Sequence, residues 1–236
     1  TKDFRDPKVF WHEGTSRWVM SLAVGDHIAF YSSPNLKDWT LQSRFGQEVG
    51  AHGGVWECPD LLSINLDGQT HWILIVSVMP GGPNGGSATQ YFVGNFDGAH
   101  FTPYDSNLRW LDYGPDNYAG VTFHNTAPRN VFIAWMSNWD YAKEVPTSPW
   151  RSAMTLPREL SLERVGAKFH LRNFPTQEVL RRLKGNTTRT VTWEPNNTNV
   201  NDLLRESDGK FVMSLSASVL QDVELTFSND AGDTLH

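Results

Sequence analysis

An all-β fold built from propeller-type blades is what this sequence predicts, and three observations carry the prediction. Apolar and polar residues alternate in short runs of strand length, rich in Val, Ile, Phe, Trp and Tyr. Gly, Asp, Asn and Pro punctuate these runs, and no long segment of helical period interrupts them. The runs fall into three rounds of roughly 45 to 50 residues, the length of a four-stranded blade. A β-sandwich has similar strand spacing and stays open on this ground alone. The repeat is too loose for a WD40 or kelch array.

The first round opens on Phe4-Arg5-Asp6-Pro7-Lys8-Val9-Phe10-Trp11-His12, with Asp6 just before a short aromatic strand that Pro7 begins. Asp6 is either a turn former or a carboxylate at a strand mouth held by Arg5. Strands are expected at 17–23 and 27–32 around the turn Val24-Gly25-Asp26, and at 40–45 after the loop 33–39. The second round opens on Gly53-Gly54-Val55-Trp56-Glu57-Cys58-Pro59-Asp60-Leu61. There the glycines are expected to supply turn geometry and Pro59 to hold Cys58 extended. Trp56 is expected to wall Glu57 with apolar surface, raising its pKa toward what a general acid needs. A capped or salt-bridged strand-end Glu is the plainer alternative.

Strands at 61–64, 71–78 and 90–96 follow, with the turn Asp67-Gly68, a flexible loop over 80–86 near the pocket mouth, and the turn Asp97-Gly98 before 100–103. The third round runs through 120–124, 131–137 and 151–156, with Trp150-Arg151 expected to brace it as an aromatic–cation contact. From about 160 the chain becomes more charged, with a short helical or irregular connection expected around 176–183. Alternation resumes at 188–193, 211–219 and 223–227. The organisation expected is a partial propeller at 1–160, a linker at 161–184 and the start of a second all-β unit at 185–236.

Composition narrows the function classes. The 236 residues are 39% hydrophobic and 19% charged, the balance of a globular chain with a sizeable core. Ten Trp, 13 Phe and 6 Tyr suit stacking on sugar rings as well as core packing. A net charge of −6 argues against a nucleic-acid partner. No apolar run of about 18 residues suggests a membrane segment. Cys58 is the sole cysteine, so no intrachain disulfide forms. The histidines lack metal-ligand spacing, and no Gly-rich phosphate cradle leads into a helix, so neither a metal nor another cofactor is expected. Two sequons, at 186–188 and 196–198, lean toward secretion, although the chain begins at Thr1 with no signal peptide.

Four places set polar groups beside glycine, proline or aromatics: Arg5-Asp6, Glu57, Asp116-Asn117-Tyr118 and Ser137-Asn138-Trp139-Asp140. In a propeller, inner strands of different blades converge on one funnel. Asp6 and Glu57 lie about one repeat apart, so that architecture could bring them to one pocket. Two carboxylates of different pKa are the usual equipment for splitting a glycosidic bond.

These segments resemble glycoside hydrolase family 32, the family of invertases, exo-inulinases and levanases. The resemblance rests on Phe-Arg-Asp-Pro at 4–7, Gly-Gly-Val-Trp-Glu-Cys-Pro at 53–59 and Gln-Tyr-Phe-Val-Gly-Asn-Phe-Asp-Gly at 90–98. Asp-Tyr-Gly-Pro-Asp-Asn-Tyr-Ala at 112–119, Ala-Trp-Met-Ser-Asn-Trp-Asp-Tyr at 134–141 and the run 146–158 complete it, in the family's order over about residues 1–160. It implies a five-bladed β-propeller, of which about the last three blades are present, followed by a β-sandwich. It implies retaining hydrolysis of β-fructofuranosyl bonds in sucrose or fructans. By the family pattern Glu57 is the acid/base, Asp6 the transition-state stabiliser and Arg5 its orienter, in contact with the sugar. Trp139 lines the fructose pocket, and Asp116 and Tyr118 lie near it. Cys58, among the pocket residues, is expected to be buried and inert.

One departure from the family is large. Its nucleophile is an Asp in an upstream Trp-Met-Asn-Asp-Pro-Asn-Gly motif, and neither that motif nor the family's Phe-Ser-Gly-Ser motif occurs here. A fragment, or upstream residues not included, is the expectation. Asp3 and Asp60 are available acids, but no motif supports either as a substitute. A fructosyltransferase and an inactive fructan-binding relative are the alternatives to a hydrolase, with a protein-interaction propeller disfavoured by the carboxylates.

Overall fold

In the computed structural model, which describes residues 2–183, 211–214, 216, 226–229, 231–232 and 234–235, the alternating runs over residues 4–175 pair into three antiparallel sheets in chain order. The first comprises β1 (Phe4–His12), β2 (Arg17–Val24), β3 (His27–Ser33) and β4 (Thr40–Phe45), paired in that order. The second repeats the meander with β5 (Val55–Leu66), β6 (Gln69–Met79), β7 (Ala88–Phe96) and β8 (Phe101–Pro103). In the third, β9 (Tyr118–Thr122) pairs with one edge of β10 (Asn130–Met136). The other edge of β10 is shared by β11 (Ala153–Met154) and β12 (Arg158–Val165), and β13 (Lys168–Pro175) pairs outside β12. These sheets are propeller blades.

The second blade is sandwiched, and its sequence says why. Along β6, Leu74, Val76 and Val78 face a core shared with Val19, Ile28, Phe30 and Phe45 of the first blade. The alternate residues Ile73 and Ile75 face a second core with Phe132, Leu160, Leu162 and Leu171 of the third. A strand buried on both faces reads as a nearly unbroken apolar run, as 73–78 does. The first strands β1, β5 and β9 touch in sequence order, which makes them the inner strands of adjacent blades.

The linker expected at 161–184 is corrected. Residues 158–175 form the β12–β13 hairpin, and its Leu160, Leu162 and Leu171 close the second core. The charged residues that suggested a linker alternate with these leucines and face outward. A helix, α1 (Gln177–Leu183), follows the hairpin. Contacts divide the chain into Thr1–Leu180 and Arg181–His236. In the second unit β14 (Phe227–Ser228) pairs antiparallel with β15 (Thr234–Leu235), and the Phe211 and Phe227 rings are 5.9 Å apart. The strand expected at 188–193, most of those at 211–219 and 223–227, and the sandwich they would begin lie outside the described residues.

Candidate active site

The same irregularity recurs in all three inner strands. The β1–β2 register shifts between Arg5 and Lys8, the β5–β6 register between Glu57 and Asp60, and the β9–β10 register between Ile133 and Trp135, opposite 118–121. Each bulge holds one non-glycine residue in the left-handed region: Asp6 at φ 60°, Cys58 at 47° and Ala119 at 53°. Bulges re-aim side chains, and strained backbone concentrates at functional sites. Arg5, Asp6, Glu57, Cys58 and Tyr118 therefore sit inside strands rather than in the loops before them. Cys58 is not extended as its following proline suggested; Pro7 and Pro59 instead occupy bulges, where a missing N–H interrupts the ladder at little cost.

The residues preceding the three left-handed positions are Arg5, Glu57 and Tyr118, and they bond to one another across the blades. The Arg5 guanidinium donates to Glu57 Oε1 from Nε at 3.1 Å and Nη2 at 2.8 Å, and to Asp3 Oδ1 from Nη1 at 2.6 Å. The Tyr118 hydroxyl donates to Glu57 Oε2. Asp3 and then Glu57 raise the Arg5 pKa further above its ordinary value. Burial and then the Glu57 carboxylate raise that of Tyr118, so the phenol keeps its proton and serves as a donor. Asp6 Oδ2 accepts the Cys58 N–H at 3.0 Å and lies 3.6 Å from Cys58 Sγ. Burial first, then the Asp6 and Glu57 carboxylates, push the half-buried Cys58 thiol up to about 12. An ordinary cysteine nucleophile needs the opposite shift.

The apolar wall expected from Trp56 is corrected. Adjacent residues of a strand face opposite ways. Trp56 therefore points into the first core at 0% exposure, its Nε1 donating to the Ala51 carbonyl at 2.7 Å. Glu57 faces Arg5 and Tyr118 instead. Gly53 and Gly54 are needed for close approach, not for turn geometry: a Cβ at Gly54 would lie 2.2 Å from the Met79 carbonyl oxygen, and one at Gly53 would lie 2.8 Å from Gly81 Cα.

Trp139 joins the cluster through aromatic contacts. Its ring centroid is 4.9 Å from that of Trp135, which lies 6.4 Å from Tyr118, and Trp139 is 44% exposed. Asn138, which sequence reasoning noticed only as a polar neighbour, fixes this corner. Its amide donates to the carbonyls of Pro115, Ser87 and Gly85 at 3.0, 3.3 and 3.4 Å, and its oxygen accepts the Ser87 and Asp140 N–H groups. Through Gly85 this corner meets the end of the loop over 80–86. Asp116 accepts a hydrogen bond from the Tyr141 hydroxyl and borders a cavity with Met136, Leu156 and Arg158, apart from the Arg5–Glu57–Tyr118 chain. Trp150 is 73% exposed while Arg151 donates to the Lys143 carbonyl, so the bracing contact expected between them is replaced by a loop hydrogen bond. Both spare acids are engaged in ion pairs. Asp3 pairs with Arg5, and Asp60 is wholly buried against Lys8 and Thr122.

Fold and site together define a class: an all-β propeller whose inner strands gather carboxylates at one place. The family model described as the glycosyl hydrolases family 32 N-terminal domain matches residues 1–175, and the chain belongs to this family. The levanase of Bacillus subtilis is 51% identical over 186 residues, covering 75% of this chain and 28% of the levanase. An extracellular exo-inulinase of Aspergillus niger is 45% identical, covering 75% of this chain and 35% of that protein. Among solved structures, a fructofuranosidase from Schwanniomyces occidentalis complexed with fructosylnystose superposes with a TM-score of 0.70 at 40% identity, over 74% of this chain and 36% of that one. An exo-inulinase from Aspergillus awamori gives a TM-score of 0.70 at 43% identity, over the same shares. The chain thus spans about a third of the length of these relatives.

Proposed function

We propose that this chain carries the acid/base half of a retaining glycoside hydrolase that cleaves terminal β-D-fructofuranosyl bonds in sucrose or fructans. The observation that supports it most is the meeting of two bulged strands, where the residue after Glu57 donates its N–H to Asp6. In this reading Glu57 protonates the leaving sugar's oxygen and then takes a proton from the incoming water. Arg5 and Tyr118 hold its two oxygens between those steps. Asp6 accepts hydrogen bonds from fructose hydroxyls as the ring gains oxocarbenium character. Trp139 supplies a face for the sugar, with Asp116 farther out beside Tyr141. Cys58 acts through its backbone N–H and its bulk, with its thiol protonated. No residue of the 236 is assigned as nucleophile.

The relatives' names support sucrose or fructans as substrates, and the extracellular exo-inulinase supports secretion. Residues 185–236 are proposed to begin a second all-β unit. Fructose release from sucrose and inulin by these residues joined to an upstream half that supplies a nucleophile, compared with the same protein carrying Glu57→Gln, tests the reading. The expected result is release that falls at least about a thousandfold in the variant, as loss of a general acid and base does when both steps need it. Retained fructan binding with no release from either form would favour an inactive binding relative. Transfer of fructose to sucrose in preference to water would favour a fructosyltransferase.

A further inference from the structure

Beneath the Arg5–Glu57–Tyr118 chain, a second tier of polar contacts joins the same three strands. Asp60 Oδ2 accepts the Thr122 N–H at 2.6 Å, the Thr122 hydroxyl at 2.7 Å and Lys8 Nζ at 3.3 Å. Lys8 Nζ also donates to the Thr122 carbonyl at 2.8 Å. Lys8 lies on β1 just past Asp6, Asp60 on β5 just past Glu57, and Thr122 on β9 just past Ala119. Asp60 is 0% exposed, and its Oδ1 has no hydrogen-bond partner.

Taking an ammonium and a carboxylate out of water costs several kcal/mol per ion, and well-packed apolar residues often stabilise as much or more. Leu61, Leu62 and Ile64 on the same strand show that apolar packing serves the blade boundaries elsewhere. Stability therefore does not account for the choice of ions at this height. Directional bonds supply register: apolar faces tolerate sliding, whereas a carboxylate oxygen with three donors from two other strands does not.

We infer that Lys8, Asp60 and Thr122 are positioning residues that set the relative heights of β1, β5 and β9, and through them the placement of Asp6 against Glu57. The inference rests on the reading of those two carboxylates as the working pair, but its test does not use turnover. Cys58 is the reporter: it follows Glu57 directly, both its N–H and its Sγ contact Asp6, and it is the sole thiol. If the tier loosens, Sγ separates from Asp6 and from its burial, and the thiol becomes more acidic.

The experiment uses the 236-residue chain with Lys8→Met, Asp60→Asn and Thr122→Val. Cys58 is titrated by its ultraviolet thiolate absorbance, and its alkylation by iodoacetamide is followed against urea concentration. Each variant is expected to lower the thiol midpoint and raise the alkylation rate about tenfold per unit lowered, below the midpoint. The rise is expected already without urea and insensitive to low urea, as local loosening requires. Leu162→Ala, which destabilises the second core away from this tier, is expected to leave the thiol midpoint unchanged. Where Asp60→Asn fails to fold, Thr122→Val, which removes one hydroxyl at nearly constant volume, carries the test. An unchanged thiol, an equal shift in Leu162→Ala, or a rate that follows only global unfolding overturns the inference. A hydrolase reading that fails through Glu57→Gln leaves these thiol measurements readable on their own.

Discussion

A thiol held against one carboxylate and next in sequence to another is a poor acid, and that decides what Cys58 can do. Its ionisation moves from an ordinary 9.0 to about 12, chiefly through burial and then through Asp6. The native chain is therefore expected to resist alkylation at about pH 8.5 and to react when unfolded, measured as thiol modification with and without denaturant. The sign of the linked stability follows. The folded chain holds this proton more tightly than the unfolded chain, so the contribution is complete below about 9 and is lost as pH rises toward about 12. Melts at successively higher pH are expected to show that loss, and Cys58→Ser to reduce it. At this scale the motif residues Arg5, Asp6 and Glu57 were legible in the sequence, because their chemistry resides in side-chain type. Their partners were less so. Lys8, Asp60, Thr122 and Asn138 act through geometry across blades, and sequence order does not say which lysine meets which aspartate.

Strands in this chain are defined as much by their defects as by their ladders. Three inner strands carry equivalent bulges, and each places a residue in the left-handed region at a cost of about 1–3 kcal/mol. Alternation predicted the strands but not the bulges, because a single extra residue changes no composition. It also reverses the side-chain facing beyond it, and because the ladder continues past it, with Phe4 and Arg5 paired to Val24 and Ala23, a carboxylate expected at a strand mouth lies within the strand. The glycine pair before Glu57 shows a related limit. Its need comes from the Met79–Gly81 backbone of the neighbouring strand rather than from its own dihedral angles. Gly54→Ala is accordingly expected to destabilise by about 1–3 kcal/mol or more, since the Cβ meets backbone that must shift. A drop in Tm of several degrees with displaced near-ultraviolet circular dichroism would register it; an unchanged melt would contradict the close approach.

Across the whole molecule, the second blade between two apolar cores is what binds the first unit together. A chain ending after Leu183 is expected to retain a cooperative melt and the slow Cys58 thiol, measured beside the 236-residue chain; loss of either would show that the later residues are required for the site. Strand periodicity, turn residues and motif order were enough to determine the all-β class, the blade repeat and the family, since these depend on local pattern and on residue types that chemistry demands. The third blade's outer hairpin was hidden because its leucines alternate with charges at a spacing that a linker can mimic. Only packing against Ile73, Ile75 and Phe132 makes it part of a core. The facing of Trp56, the bulges and the two tiers of contacts between β1, β5 and β9 were decided by tertiary structure alone. They depend on which strands become neighbours, and chain entropy leaves that undecided until the apolar faces are buried together.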